Sequence, residues 1–121
     1  MSLIEELYNA ITSNTTITSA LADGAAGVRA DLTSYSGRYP VIAYTVVSDV
    51  PHMAADDNEI ARRVTVQIDI LTEDGVDDAI VSEIVKAVTA IGWVRYSTAR
   101  LTDSDRVRDT AIRFIIAESE E

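Results

Sequence analysis

RRVTVQIDIL, residues 62–71, decides the fold. Val64, Val66, Ile68 and Ile70 fall on one side of an extended chain, and Arg63, Thr65, Gln67 and Asp69 on the other. This strict alternation specifies a β-strand with one face on a core and one polar face. A slip of one residue would invert both faces. The pattern therefore predicts Val64, Val66, Ile68 and Ile70 buried, with Arg63, Thr65 and Gln67 more exposed.

Upstream, Pro40 opens VIAYTVVSDV (41–50), a β-branched run that reads as a second strand. Between the two lies SDVPHMAADDNEIARR (48–63), with the chain's single His and four acids. His52, Asp56 and Asp57 are ligand-type side chains. However, Pro51 and the polar run DDNE favour an irregular connection, and there is no second His to converge on a metal. The reading is a loop at about residues 50–61, with residues 51–59 mobile and no bound metal. Apart from Met53 it has little apolar surface to offset the entropy of ordering, roughly 1–2 kcal/mol per residue.

Further out, the elements alternate. Ser2 and Glu5 form a capping box. Leu3, Ile4, Leu7, Tyr8 and Ile11 make one helical stripe behind it. TSNTT breaks this helix, and ITSALADG (17–24) adds a helical turn ending at Gly24. GVRADL (27–32) is a short strand and TSYSGRYP (33–40) a loop. Downstream, TEDG (72–75) turns the chain into a helix from Val76 to Ile91, striped by Ile80, Ile84, Val88 and Ile91. Asp74, Asp77 and Asp78 suit its positive N-terminal end, and Gly92 ends it. WVRYSTA (93–99) is a strand with Trp93 turned inward, RLTDSDRVR (100–108) a charged hairpin loop, DTAIRFIIA (109–117) the last strand and ESEE an acidic tail. The order α-(β)-β-β-α-β-β predicts a single α+β domain over residues 1–121. A mainly antiparallel sheet would carry two amphipathic helices on one face.

Composition narrows the function. The chain has 10 Lys and Arg against 20 Asp and Glu, a formal charge of −10. A nucleic-acid binder needs a basic footprint, so tight DNA or RNA binding is excluded, and an anionic membrane surface with it. No apolar run approaches the roughly 18 residues of a membrane-spanning helix, and MSLIEELYNAI lacks the basic and apolar regions of a signal peptide. There is no Cys for disulfides or zinc thiolates. Nucleophilic catalysis has no Cys and one poorly placed His. No phosphate-binding glycine loop is present. Asp69 is the candidate for a paired-carboxylate hydrolase. The plainer reading puts it on the polar face, paired with Arg95 or Arg113 of a neighbouring strand. No catalytic residue, cofactor or metal is expected.

Nine of the ten basic residues are Arg. Arg62, Arg63, Arg95, Arg100, Arg106, Arg108 and Arg113 lie on or beside expected strands. Two readings stand: guards against wrong pairing of sheet edges, or partners for carboxylates of a neighbouring subunit.

In order and spacing, four stretches resemble the tail completion or tail terminator proteins of long-tailed bacteriophages. These are LIEELYNAI, YPVIAYTVVSDVPHMAADDNEIARRVTVQIDIL, a helix ending AIGWVRYS, and DTAIRFIIA. The match spans about residues 3–117 and includes Pro40 with Tyr44, and Gly92, Trp93 and Arg95. The resemblance implies a non-catalytic α+β subunit of the virion tail, assembled in the host cytoplasm. It implies a hexameric ring that caps the tail tube, stops its polymerisation and docks to the head connector, or stopper, protein. The loop at 50–61 would face these partners. Expected ring or partner contacts are His52, Asp56, Asp57, Glu59, Arg62, Arg63, Arg95 and Arg100. Acidic balance would let DNA pass through the ring without sticking. The alternative is a small-molecule-binding regulatory α+β module, which needs a concave pocket with convergent polar groups.

Overall fold

The computed structural model describes residues 2–30, 39–53, 60–73, 78–102 and 107–119. Helix α1 spans Leu3–Thr12. The N-cap half of the expected box forms, with the Glu5 backbone N–H donating to Ser2 Oγ at 3.1 Å, while the Glu5 carboxylate accepts from the Ser2 hydroxyl at 3.3 Å. Asn14 both ends this segment and caps the short helix α2, Thr15–Thr18, accepting from the Ile17 N–H at 3.1 Å. A 3-10 turn follows at Gly24–Gly27. Gly24 therefore opens a new turn at φ 60° instead of closing the preceding helix.

Five strands form one sheet: β1 (Val28–Arg29), β2 (Val41–Met53), β3 (Ile60–Glu73), β4 (Val94–Thr102) and β5 (Val107–Ser119). Helix α3, Asp78–Ala90, lies between β3 and β4 in the chain. The spatial order is β1-β2-β3-β5-β4. Only the β1–β2 pair is parallel; the other three are antiparallel. The fold is thus α+β, as its element order implied, with β5 inserted between β3 and β4.

The alternation in β3 carries the core. Val64, Val66, Ile68 and Ile70 are fully buried. They pack with Ile42, Ile112 and Phe114 of adjacent strands. Leu3, Leu7 and Ile11 of α1, Ile17 of α2, and Ile80, Ile84 and Val88 of α3 complete the same cluster. Both amphipathic stripes are therefore spent on one sheet face, and Trp93 points inward as expected. Ile91 does not join the stripe; it is exposed beyond the end of α3. Gly92, at φ 105°, turns the chain there, with its N–H donating to the Thr89 carbonyl at 3.1 Å.

The opposite sheet face is less polar than β3 alone suggests. Val41, Leu71 and Val107 form a second small cluster with Tyr39, and no described helix contributes to it. Arg63 is exposed and Gln67 half-buried as predicted, but Thr65 is buried and Asp69 is 1% exposed. Asp69 lies level with Ala43 on β2 and Ala111 on β5. It pairs with neither Arg95 nor Arg113. Its two carboxylate oxygens accept from Gln67 Nε2 at 3.2 and 3.1 Å, and Arg113 Nε donates to Gln67 Oε1 at 3.0 Å. Gln67 thus relays an arginine to a buried acid.

Two expected loops are shorter than their composition implied. β2 runs through Pro51 and His52 to Met53, and β3 starts at Ile60, so the pair is a long hairpin arm. Pro51 pairs with Arg62 in the ladder, which an edge strand tolerates. Residues 51–53 are therefore strand, not loop; the rest of the mobile-loop expectation, at 54–59, lies outside the described residues. Likewise β4 extends to Thr102 and β5 begins at Val107. Of the expected charged loop, 103–106 lie outside the described residues, as do Asp74 and Asp77.

Candidate functional site

Of the expected contact residues, the described arginines do not converge on one point. Asp56, Asp57 and Glu59 lie outside the described residues, and His52 stands near the end of β2, level with Ala61. Arg62 is on the hairpin arm. It grips Asp49 with both prongs of its guanidinium: Nε to Oδ1 and Nη2 to Oδ2, each at 2.8 Å. Pro51 opposes Arg62 and Asp49 opposes Val64, so the pair is a diagonal one on the helix-bearing face. The Arg62 hydrogen bonds hold the Asp49 carboxyl below its ordinary range, against a smaller desolvation effect.

Arg63 projects from the other face, over a shallow cleft lined by Gly92, Val94, Ile115, Ile116 and Ala117. Arg95 is exposed on β4, level with Phe114. Arg100, farther along β4, donates through Nη2 to Asp78 Oδ1 at 2.9 Å, tying the edge strand to the start of α3. Arg62, Arg63, Arg95 and Arg100 therefore divide between the arm and the β4 edge. Their contacts with acids join parts of the same chain. Among the described residues, no group of three or more His, Cys, Asp or Glu side chains is placed to hold a metal.

Beside these charges lies a feature the residue types did not reveal. β1 covers only Ile42 and Ala43 of β2, so from Tyr44 onward β2 has no described strand on that side. β4 likewise has β5 on one side and no described strand on the other. Both bare edges carry exposed apolar side chains: Val46, Val47 and Val50 on β2, and Val94 (62%) and Tyr96 (65%) on β4. Each edge also has a bulge. The register shifts between Val46 and Ser48 on β2, and between Arg95 and Ser97 on β4. The two bulges are level: Val46 pairs with Val66, Val66 with Phe114, and Phe114 with Arg95. One signal was available in the sequence. The adjacent Val46 and Val47 break period two, as a bulge requires.

The described clefts are open surface hollows. One of about 370 Å³ is lined by Gln67, Tyr96, Ser97, Ala99, Ala111 and Arg113. Another, of about 200 Å³, lies between α1 and β2 beside Tyr8 and Tyr44. Those rings stand 6.0 Å apart, tilted by 58°. Burial, and secondarily Tyr8, pushes the Tyr44 hydroxyl up from its ordinary range.

No protein-family model matches the chain, and no curated protein does. Among solved structures it is similar to a chain of the virion of a native gene transfer agent particle, with a TM-score of 0.69 at 10% identity. The match covers 98% of this chain and 95% of that one. At that identity the likeness is one of fold, extending over essentially the whole of both chains.

Proposed function

We propose that this chain is a structural, non-enzymatic subunit of a phage-like virion. In this reading it caps the end of the tail tube as a ring, most simply a hexamer. It stops tube polymerisation and joins the tail to the head connector. The observation that carries the reading is the end-to-end match of fold with a subunit of a gene transfer agent virion. The order of segments that resembles the tail terminator proteins narrows it to the tube end. Two unlike sheet edges with no described strand beside them suit a subunit that meets neighbours on both sides; unlike surfaces are what a closed ring of head-to-tail contacts uses.

Deletion of the gene from the genome that encodes it tests the role directly. Electron microscopy is expected to show tubes of uncontrolled length without heads, restored by supplying the chain in trans. A gold label on the chain should mark a single tube end. Tails of normal length joined to heads in the deletion, or label along the whole tube or over the capsid, would overturn the reading.

A further inference from the structure

We propose that the sheet face bearing Arg63 and Arg113 packs against helix α1 of a second copy, where the two arginines meet the acids and tyrosine rings beside that helix. The occupant of the face is thus another copy of this chain. This deepens the ring reading and rests on it for the closure of the assembly.

The sheet face without described α-helices has a covered end and an open one. Val41, Leu71 and Asp109 share one level and are buried, as are Ala43, Asp69 and Ala111 at the next. Farther along, Arg113 is level with Gln67, and Arg63 with Ala117. Both arginines and Ala117 are exposed. Between those levels Ile115 is half-buried, and Val94 opposite it on β4 is 62% exposed. The arginines stand four residues apart in level, roughly 13 Å along the strands. Neither meets an acid: among the described residues Arg63 has no ion pair, and Arg113 Nε donates to neutral Gln67.

Cations set among apolar side chains suit a protein surface that supplies carboxylates. Two arginines are a small footprint for nucleic acid. A two-fold packing of the face on itself would gather four arginines without an acid to answer them.

The chain offers the complement on its other surface. Glu5 and Glu6 are exposed in the first turn of α1, on the helix-bearing side. The Glu5 carboxylate accepts from the Ser2 hydroxyl, and Glu6 has no basic partner among the described residues. Glu5 lines the cleft beside Tyr8 and Tyr44. Two aromatic rings and a carboxylate make a seat for a guanidinium, by cation–π and ionic attraction together. Glu6 lines a second hollow with Ala10 and Ile91, whose side chain is 40% exposed. Exposed apolar groups therefore accompany the acids here as they accompany the arginines there. The Tyr8–Tyr44 contact sets α1 beside β2, and the hollows at Arg63 and Arg113 open toward β4. The two surfaces lie on opposite sides of the chain, as a head-to-tail contact requires.

Charge reversal tests this by sedimentation of the purified chain. Arg63→Glu/Arg113→Glu has a formal charge of −10 − 4 = −14, and Glu5→Lys/Glu6→Lys one of −10 + 4 = −6. Each alone is expected to self-associate at least roughly tenfold more weakly than the parent, through the loss of charge-assisted contacts. An equimolar mixture should recover association, because each variant supplies the surface that the other needs. Net charge alone would make the −6 variant associate more strongly than the parent, and that result would overturn the proposal. So would unchanged association in either variant, no recovery in the mixture, or a parent that stays monomeric at millimolar concentration. Duplex DNA binding by the parent, lost in Arg63→Glu/Arg113→Glu while self-association persists, would assign the face to nucleic acid instead. Far-ultraviolet circular dichroism checks each fold. Where a double variant unfolds, Arg63→Glu or Glu6→Lys replaces it, since neither side chain has a described ion pair to lose. Association is read on the purified chain and the tail role on particles, so either can fail without the other.

Discussion

Ile68 is fully buried beneath α1 and α3, in the middle of the strand whose alternation set the faces of the sheet. Truncating it removes apolar contacts and leaves a cavity. Ile68→Ala is expected to cost about 2–5 kcal/mol in chemical denaturation; a loss under about 1 kcal/mol would mean that the site collapses or the strand is out of register. Asp49 is a different case. Its pair with Arg62 lies at the surface, and such pairs contribute little on average. Its carboxyl is nonetheless held below the ordinary 3.8 by the two hydrogen bonds. A lowered folded-state value stabilises at pH above the ordinary one and loses that contribution as pH falls through the folded value. Carboxyl NMR titration should therefore place Asp49 below its ordinary value, and Arg62→Gln should bring it back toward that value. An unchanged midpoint in Arg62→Gln would assign the shift elsewhere.

At the scale of elements, the strong periodicities were legible. The β3 stripe, the α1 capping box and the α3 stripe each repeat a local rule over enough residues to override accidents of composition. The limits of the hairpins were not. Pro51 and the acids around it read as loop because proline breaks a central strand, but no described strand lies on the outer side of β2 there. The charges in RLTDSDRVR concealed the end of β4 in the same way: edges favour charge, and a one-dimensional reading cannot tell an edge from a loop. Asp69 was misplaced for a complementary reason. Alternation assigns a side of the sheet, but not whether that side is wet, and Ala43 and Ala111 beside it become neighbours only through pairing. Of the expected contact residues, Arg62 and Arg100 are engaged with acids of their own chain, and sequence spacing could not foresee such long-range partners. Gly92 was legible as a helix stop, and its φ of 105° shows why. The nearest atom to an added Cβ, Ile116 Cδ1 at 3.5 Å, leaves room. Strain therefore comes from the backbone alone, and Gly92→Ala is expected to cost roughly 1–2 kcal/mol. Thermal denaturation indistinguishable from the parent would show that the turn relaxes to an ordinary conformation.

For the whole molecule, charge and shape pull in opposite directions. Each copy added to an assembly brings another −10, while any contact surface between copies acts only at short range. Salt screens the long-range repulsion between copies. Self-association of the isolated chain, followed by sedimentation, is therefore expected to strengthen between about 50 mM and 500 mM sodium chloride, since the Debye length shrinks severalfold over that interval. Weakening over the same range would mean that arginine–carboxylate contacts between copies outweigh the net charge. The sheet order has a consequence for how such a chain comes into being. β5 is placed between β3 and β4, yet it follows both in the chain. A ribosome that has made everything through Thr102 holds a polypeptide whose longest strand lacks a partner on one side and whose β4 has none at all. Such an intermediate can neither close its core with Ile112 and Phe114 nor shield its strands from other nascent chains. Every subunit is thus locked only once β5 has been made, and a copy that ends before it lacks the strand that joins β4 to the rest of the sheet.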